Sequence, residues 1–341
     1  MSSKLLIKEN HSLRNYNTFN LDTTAKRFIE LTNNEEIEYF IESEFVKDRI
    51  LILGGGSNLL LLNDFDGIVA HLSNKVICII KDSVEDVIIE CAAGEIWDDV
   101  VSFCVKNKFY GIENLALIPG TIGAAPIQNI GAYGVEIKDV LVSVEGFDLI
   151  TREKRILTVD ECEFDYRSSI FKTKLKGRFL ISKVKLRLLR KKKFHLNYRA
   201  LNEKFGKRPV DKISIEDVSS YVKNIRMEKL PDYKVYGNAG SFFKNPEVSH
   251  EQLSELKKLH NDIVSFATTA GTYKIAAGWL IEECGFKGKR IGNVSCYEKQ
   301  ALVIVNHGGA TGKEIKEYSE RIQGAVKNKF GINLTPEVNI I

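Results

Sequence analysis

Asn114-Leu-Ala-Leu-Ile-Pro-Gly-Thr-Ile-Gly-Ala-Ala-Pro-Ile-Gln-Asn-Ile-Gly-Ala-Tyr-Gly134 is the stretch on which the reading of this chain turns. It holds four glycines and two prolines and no Lys, Arg, Asp or Glu, although 28% of the whole sequence is charged. Glycine supplies positive φ and close backbone approach, and Pro119 and Pro126 fix turns, so the segment suits a rigid loop whose amides face a pyrophosphate. A buried glycine-rich connection between strands has the same composition. A second loop weighs against that plainer reading. Leu53-Gly54-Gly55-Gly56-Ser57-Asn58-Leu59 follows the apolar run 50–53, and a strand ending in three glycines and a Ser-Asn pair presents bare N–H groups to an anion. It is not a dinucleotide fingerprint, because the third required glycine falls on Leu59, and no Gly-Lys-Ser/Thr follows to make it a P-loop.

Composition sets the outer limits. The 341 residues, 44% hydrophobic, can bury a sizeable core and are enough for two or three domains. No apolar run reaches the length of a spanning helix and the first residues lack a signal-peptide core, so a soluble, cytoplasmic protein is expected, without membrane insertion. Six scattered cysteines with no Cys-x-x-Cys pair predict free buried thiols in a reducing compartment. The net charge of +4 is too small to argue for nucleic acid. Arg190-Lys191-Lys192-Lys193 reads as a solvated strand end. The six histidines show no ligand spacing, so no metal is expected. His307-Gly308-Gly309 is similar to a lipase oxyanion loop, but no Gly-x-Ser-x-Gly accompanies it, which leaves a strand-to-helix turn.

Taken in order, residues 1–25 read as an irregular lead-in. A strand is expected at 26–31, a helix capped by the box Thr32-Asn33-Asn34-Glu35 and running through 43, and a strand at 49–53, which together make a β-α-β unit with its phosphate loop at a strand's carboxyl end. Strands follow at 67–72, 76–80 and 87–92, a helix at 95–107, and strands at 140–148, 154–158 and 179–188. Residues 194–213 are polar and irregular, and a helix at 215–226 leads to a linker around Pro231. From Gly237 the chain reads as a separate α/β unit: Ser249 to Gln252 caps one helix, 274–284 forms an apolar second, 301–306 is a strand, and Thr311 to Glu314 caps a third helix ending near Phe330.

Six motifs occur in one order: Leu53 to Asn58, Ile118-Pro119-Gly120, Pro126 to Gly134, Tyr166-Arg167, Gly240-Ser241-Phe242-Phe243-Lys244-Asn245-Pro246, and Pro336-Glu337-Val338. From about Asn17 to the C-terminus they resemble the UDP-N-acetylenolpyruvoylglucosamine reductase family, flavoenzymes of peptidoglycan precursor synthesis. The resemblance implies an α+β chain. A p-cresol methylhydroxylase-type two-part FAD-binding fold (1–72 and 73–220) is expected, with a C-terminal α/β substrate-binding domain (221–331) and a tail (332–341) returning toward the active site. It implies FAD, bound without a covalent link since neither glycine loop contains His or Cys, with NADPH as reductant. Gly54, Gly55, Gly56, Ser57 and Asn58 match the phosphate loop, and Pro119, Gly120, Thr121, Gly123, Gln128, Asn129, Ala132, Tyr133 and Gly134 match the second cofactor stretch.

Reducing an enolpyruvyl ether leaves negative charge on a carbon beside a carboxylate and requires one proton. By resemblance Arg167 and Glu337 stabilise that charge and Ser241 donates the proton. Tyr198 matches the mobile tyrosine of the longer subtype, and Lys229 and Asn245 match diphosphate contacts. Read alone, the plainer reading is the stronger for each: Arg167 as a surface ion pair, Glu337 as a solvated tail residue and Ser241 as a turn hydroxyl. Gly55 and Ala124-Ala125 depart from the family pattern, and the chain stops four residues after Glu337. The alternatives are an FAD-linked oxidase acting on a sugar or alcohol and a non-catalytic nucleotide-sugar binder. A monomer without nucleic-acid partners is expected.

Overall fold

The computed structural model describes residues 5–268 and 270–341. The chain forms two compact units, one comprising residues up to 11, 25–55 and 65–226, the other 12–24, 56–64 and 227–341.

In the first unit the strands Thr24–Leu31 and Ile50–Leu53 both run parallel to Phe65–Leu72, which lies between them, and Ile7–Ser12 flanks Thr24–Leu31. The expected β-α-β unit is therefore present with a third strand inserted between its two. The helix Asn34–Glu42 joins them and buries Ile37, Phe40 and Ile41. Its cap sits one residue beyond the expected box: Asn33 Oδ1 accepts from Glu36 N, and Thr32 gives its amide and hydroxyl to the Glu36 carboxylate. Asparagine is the stronger cap and takes the position. A five-stranded antiparallel sheet runs in the order Lys154–Thr158, Leu141–Asp148, Phe179–Leu189, Asp86–Ala92, Ile77–Asp82. Helix Trp97–Lys106 buries Trp97, Val100, Val101 and Cys104 in the same apolar core.

Two stretches expected to be irregular are ordered. Ile7–Ser12 is a strand with only two partly buried residues, too few for an apolar alternation to show. Within 194–213, Arg199–Phe205 is a helix held by two apolar anchors, Leu201 and Phe205. A seven-residue helix with two anchors has no legible period.

The second unit is built on an antiparallel sheet, Gly237–Ser241, Gln300–Asn306, Val294–Tyr297, Arg290–Ile291. The apolar run expected to be one helix is the strand Tyr273–Ile275 followed by the helix Ala277–Glu283, because both elements are apolar and a continuous run does not mark its own boundary. Ser249 caps His250–Leu259, and the Thr311/Glu314 capping box opens Gly312–Phe330, which ends at Gly331 with φ +69°. Of the cysteines, Cys78 is exposed and Cys284 half-buried, against the expectation for both; burial pushes the Cys91, Cys162 and Cys296 thiols up to about 12.

The chain end is fixed. Asn339–Ile340 pairs in parallel with Leu59–Leu60. Asn339 N donates to Asn58 O (3.1 Å), Ile341 N to Leu60 O (2.9 Å) and Leu62 N to Ile341 O (2.8 Å). Removing residues 339–341 is expected to destabilise the protein by about 3 kcal/mol, roughly 1 kcal/mol for each of these hydrogen bonds. Urea unfolding of the truncated chain checks this, and an unchanged midpoint would show the strand to be ornamental.

Candidate active site

In the first unit the two glycine loops touch. A Cβ on Gly54 would collide with Thr121 Oγ1, and one on Gly55 would fall 2.9 Å from Gly120 Cα. No side chain fits on Gly54 or Gly55 at this junction, and their bare amides are what a pyrophosphate needs. A Cβ on Gly123 would likewise collide with Ala93, so the second loop is seated against the sheet as closely as a backbone can be. With no acidic side chain in either loop, these residues fit the phosphates of FAD.

Helices hold the second loop in place. Trp97 Nε1 donates to Leu115 O (2.8 Å), and Asp98 Oδ1 accepts from Leu117 N (2.6 Å). From helix Ile215–Lys229, Lys223 pairs with Asp98 at 2.9 Å and Arg226 Nε donates to Leu117 O at 3.3 Å. Leu117, Asn129 and Tyr133 have φ of +60°, +44° and +50°. A cluster of non-glycine residues in the left-handed region is strained backbone that its surroundings must impose, a pattern typical of binding sites. Asn129 shows how it is imposed: fully buried, its Nδ2 donates to Glu136 Oε2 (2.9 Å) and Asp165 O (3.2 Å), and its Oδ1 accepts from Lys138 N (3.3 Å).

Arg167 lies at the tip of a two-residue turn closed by Asp165 N to Ser168 O and Ser168 N to Asp165 O, both 3.1 Å, with φ +51°. Its guanidinium donates to Asn129 O (3.3 Å) and Gly131 O (2.6 Å). The carbonyls of the second glycine loop thus aim this arginine, which is partly exposed. Tyr198, 49% exposed, precedes helix Arg199–Phe205, and its ring stands edge-on to that of Tyr133 with centroids 5.2 Å apart. Arg226 is half-buried near Tyr133, Asp98 and Arg167; burial lowers its pKa, the Arg167 charge adds to that, and Tyr133 and Asp98 oppose it. It remains a cation.

In the second unit Ser241 and Glu337 are lashed to neighbouring strands. Phe243 bridges Pro336, Glu337 N donates to Phe242 O (2.8 Å) and Lys244 N to Thr335 O (2.9 Å). Asn58 Nδ2 donates to Glu337 O (3.3 Å), so the end of the first glycine loop meets the same point. A register shift between Asn238 and Ser241 marks a bulge, in which Gly240 has φ +69° and its N donates to Asn238 Oδ1 at 3.0 Å. Bulges re-aim a side chain, and here the one they re-aim is Ser241. Asn238 is in turn fixed by Thr18, whose Oγ1 donates to Asn238 O (2.5 Å) and whose N donates to Gly56 O (3.2 Å). Gly56 has φ +60°, and a Cβ there would collide with Tyr16 O. Asn245 Oδ1 accepts from Ala277 N (3.0 Å), and Lys229 is exposed at its helix end.

The structure therefore gathers Gly54, Gly55, Gly120, Thr121, Asn129, Tyr133, Tyr198 and Arg167 within one unit, and Asn58, Ser241 and Glu337 within the other. Arg226, Asp98 and Thr18 join these groups without having been expected from the sequence. Arg226 and Asp98 look like surface charges on amphipathic helices, and Thr18 lies in the supposedly irregular lead-in. Among the described residues no cluster of three His, Cys, Asp or Glu could hold a metal ion, and no helix is long and apolar enough to cross a membrane.

Comparison with known proteins bears on this arrangement. Residues 231–341 match the model of the UDP-N-acetylenolpyruvoylglucosamine reductase C-terminal domain, and 25–160 match an FAD binding domain. UDP-N-acetylenolpyruvoylglucosamine reductase of Flavobacterium johnsoniae is 42% identical over 98% of this chain and 99% of its own. That of Bdellovibrio bacteriovorus is 44% identical over 97% and 98%. The crystal structure of the Thermus caldophilus reductase shares the fold, with a TM-score of 0.67 over 99% of this chain and 98% of that one at 23% identity.

The turn that opens the second loop contains Glu113, 1% exposed, whose Oε2 accepts from Gly111 N at 2.8 Å. Burial pushes its pKa above the ordinary carboxylate range, and the amides of Gly111, Glu113 and Ile112 oppose the rise. Because the folded state keeps a proton that the unfolded chain has released, stability falls as pH rises from about 4.3, the unfolded glutamate value, through the raised one. Glu113→Gln is expected to remove that loss and to be the more stable protein at neutral pH. Urea midpoints across this range test it; a variant less stable than wild type at every pH would contradict it.

Proposed function

This chain belongs to the UDP-N-acetylenolpyruvoylglucosamine reductase family, and from that premise we propose how its own residues share the work of the reaction. The protein is an FAD-containing, NADPH-dependent oxidoreductase that reduces the enolpyruvyl group of UDP-N-acetylglucosamine enolpyruvate to give UDP-N-acetylmuramate, a step in peptidoglycan precursor synthesis. Bound FAD supplies the hydride chemistry, between NADPH and the terminal CH₂ carbon of the enolpyruvyl group.

The chain's residues do the rest. Gly54, Gly55, Gly56, Ser57 and Asn58, with Pro119, Gly120, Thr121, Gly123, Gln128, Asn129, Ala132, Tyr133 and Gly134, would hold the cofactor, the glycines through their backbone amides and Pro119 by fixing the turn. Arg167 grips the substrate carboxylate with its planar fork and stabilises the charge that develops on the adjoining carbon. Glu337 supports the same charge in its protonated form. The Ser241 hydroxyl delivers the proton to that carbon. Tyr198, Lys229 and Asn245 contact the diphosphate, and Arg226 adds a further cation. The observation that supports this division most is that each group is aimed by backbone: Arg167 by the carbonyls of Asn129 and Gly131, Glu337 by the hydrogen bond its N–H donates to Phe242 O, Ser241 by the bulge at Gly240.

In functional terms 1–72 and 73–220 serve the cofactor and 221–331 the substrate, while 332–341 carries Glu337 back to Leu59–Leu60. We place the enzyme in the cytoplasm, where NADPH and UDP sugars are made, acting as a monomer on a small nucleotide sugar and not on nucleic acid. The small net charge supports the last point.

Ser241→Ala is expected to fold, bind FAD and accept reduction by NADPH at a near-normal rate, while turnover with the enolpyruvyl substrate falls by about 10²–10⁴-fold, the usual contribution of a positioned acid. Ser241→Cys keeps a transferable proton and recovers part of it. Rapid mixing that finds the alanine variant turning over like wild type would remove Ser241 from this role.

A further inference from the structure

We propose that Asn114 is a positioning residue that couples the order of the cofactor loop 128–134 to that of the Tyr198 segment. The side chain is completely buried, and its one amide nitrogen donates both hydrogens: to Tyr133 O at 2.9 Å and to His195 O at 2.8 Å. The first acceptor belongs to a left-handed residue (φ +50°) inside the cofactor loop; the second lies three residues before Tyr198. The Tyr133 and Tyr198 rings then meet edge-on. Asn114 itself is anchored on either side, by the Glu113 carboxylate on Gly111 N and by Leu115 O on Trp97 Nε1.

A rigid carboxamide therefore clamps two segments that have no strand or helix of their own at the point of contact. Ordering one favours the other, because a segment that leaves the clamp strips an N–H of the completely buried Asn114 amide of its acceptor, and a buried unsatisfied donor costs about 1–3 kcal/mol. Seen this way, cofactor bound at 128–134 readies the tyrosine for the substrate. No other side chain of this size gives two donors from one atom: an aspartate in its place would set a carboxylate oxygen against both carbonyls, and leucine keeps the volume but removes both donors.

Amide hydrogen exchange on the full-length protein, with FAD and after stripping it, reads the coupling directly. In wild type FAD is expected to slow exchange at both 128–134 and 195–200, by at least about fivefold, the worth of one hydrogen bond. In Asn114→Leu the slowing at 128–134 remains and that at 195–200 is lost. Equal slowing at 195–200 in the variant overturns the proposal. So does a wild-type protein in which FAD leaves 195–200 unchanged, a result that needs no variant and stands even if the leucine protein fails to fold.

A kinetic arm rests on the reductase reading. The leucine variant should raise KM for UDP-N-acetylglucosamine enolpyruvate by at least about fivefold while NADPH reduces its flavin at the wild-type rate. Slowed flavin reduction with an unchanged KM counts against the coupling. Wild-type protein that shows the exchange pattern but does not turn over this substrate sinks the reductase reading and leaves the coupling in place.

Discussion

The structure depends on a contact that side chains are forbidden to enter. Gly54 and Gly55 lie so close to Thr121 and Gly120 that a single added carbon at either would collide with its neighbour or press against backbone. Two loops distant in sequence can then expose their amides to one anion, which neither could surround alone. That closeness leaves the second loop little freedom. Its carbonyls at Asn129 and Gly131 must point where they do, and they fix the Arg167 guanidinium. The junction of the two glycine loops and the aim of the Arg167 guanidinium follow from one steric rule.

The second unit reaches a similar end by different means. Its two candidate groups come from segments far apart in the chain, and backbone hydrogen bonds join those segments. The bulge at Gly240 turns Ser241, and the returning tail carries Glu337 to the end of the first glycine loop. Backbone is the stiffest material a protein has for this purpose, because side chains held by main-chain geometry lose little further entropy when they act.

Much of this was legible in the sequence for reasons that can be named. The glycine loops declared themselves by what they lacked, since a charge-free, glycine-rich stretch is conspicuous in a charged chain. The capping residues Ser249 and Thr311 located their helices, because an N-cap is a local hydrogen bond that needs no tertiary context. Arg167, Ser241 and Glu337 stand out as candidates only through the order of their motifs; taken singly, each reads as an ordinary surface residue. What stayed hidden was whatever depends on distant partners. Thr18 looks like any polar residue until Asn238 and Gly56 are placed against it, and Arg226 occupies a helix face that reads as solvated. The strand Ile7–Ser12 and the helix Arg199–Phe205 bury too few side chains for a period to appear.

The central claim is that this machinery spends NADPH on an enolpyruvyl ether. Anaerobic NADPH oxidation, followed with and without UDP-N-acetylglucosamine enolpyruvate, tests it most directly. The purified flavoprotein is expected to oxidise NADPH mole for mole with loss of the enolpyruvyl group, and without this substrate only the bound flavin should be reduced. Sustained oxidation that ignores the enolpyruvyl substrate and requires oxygen would contradict the claim.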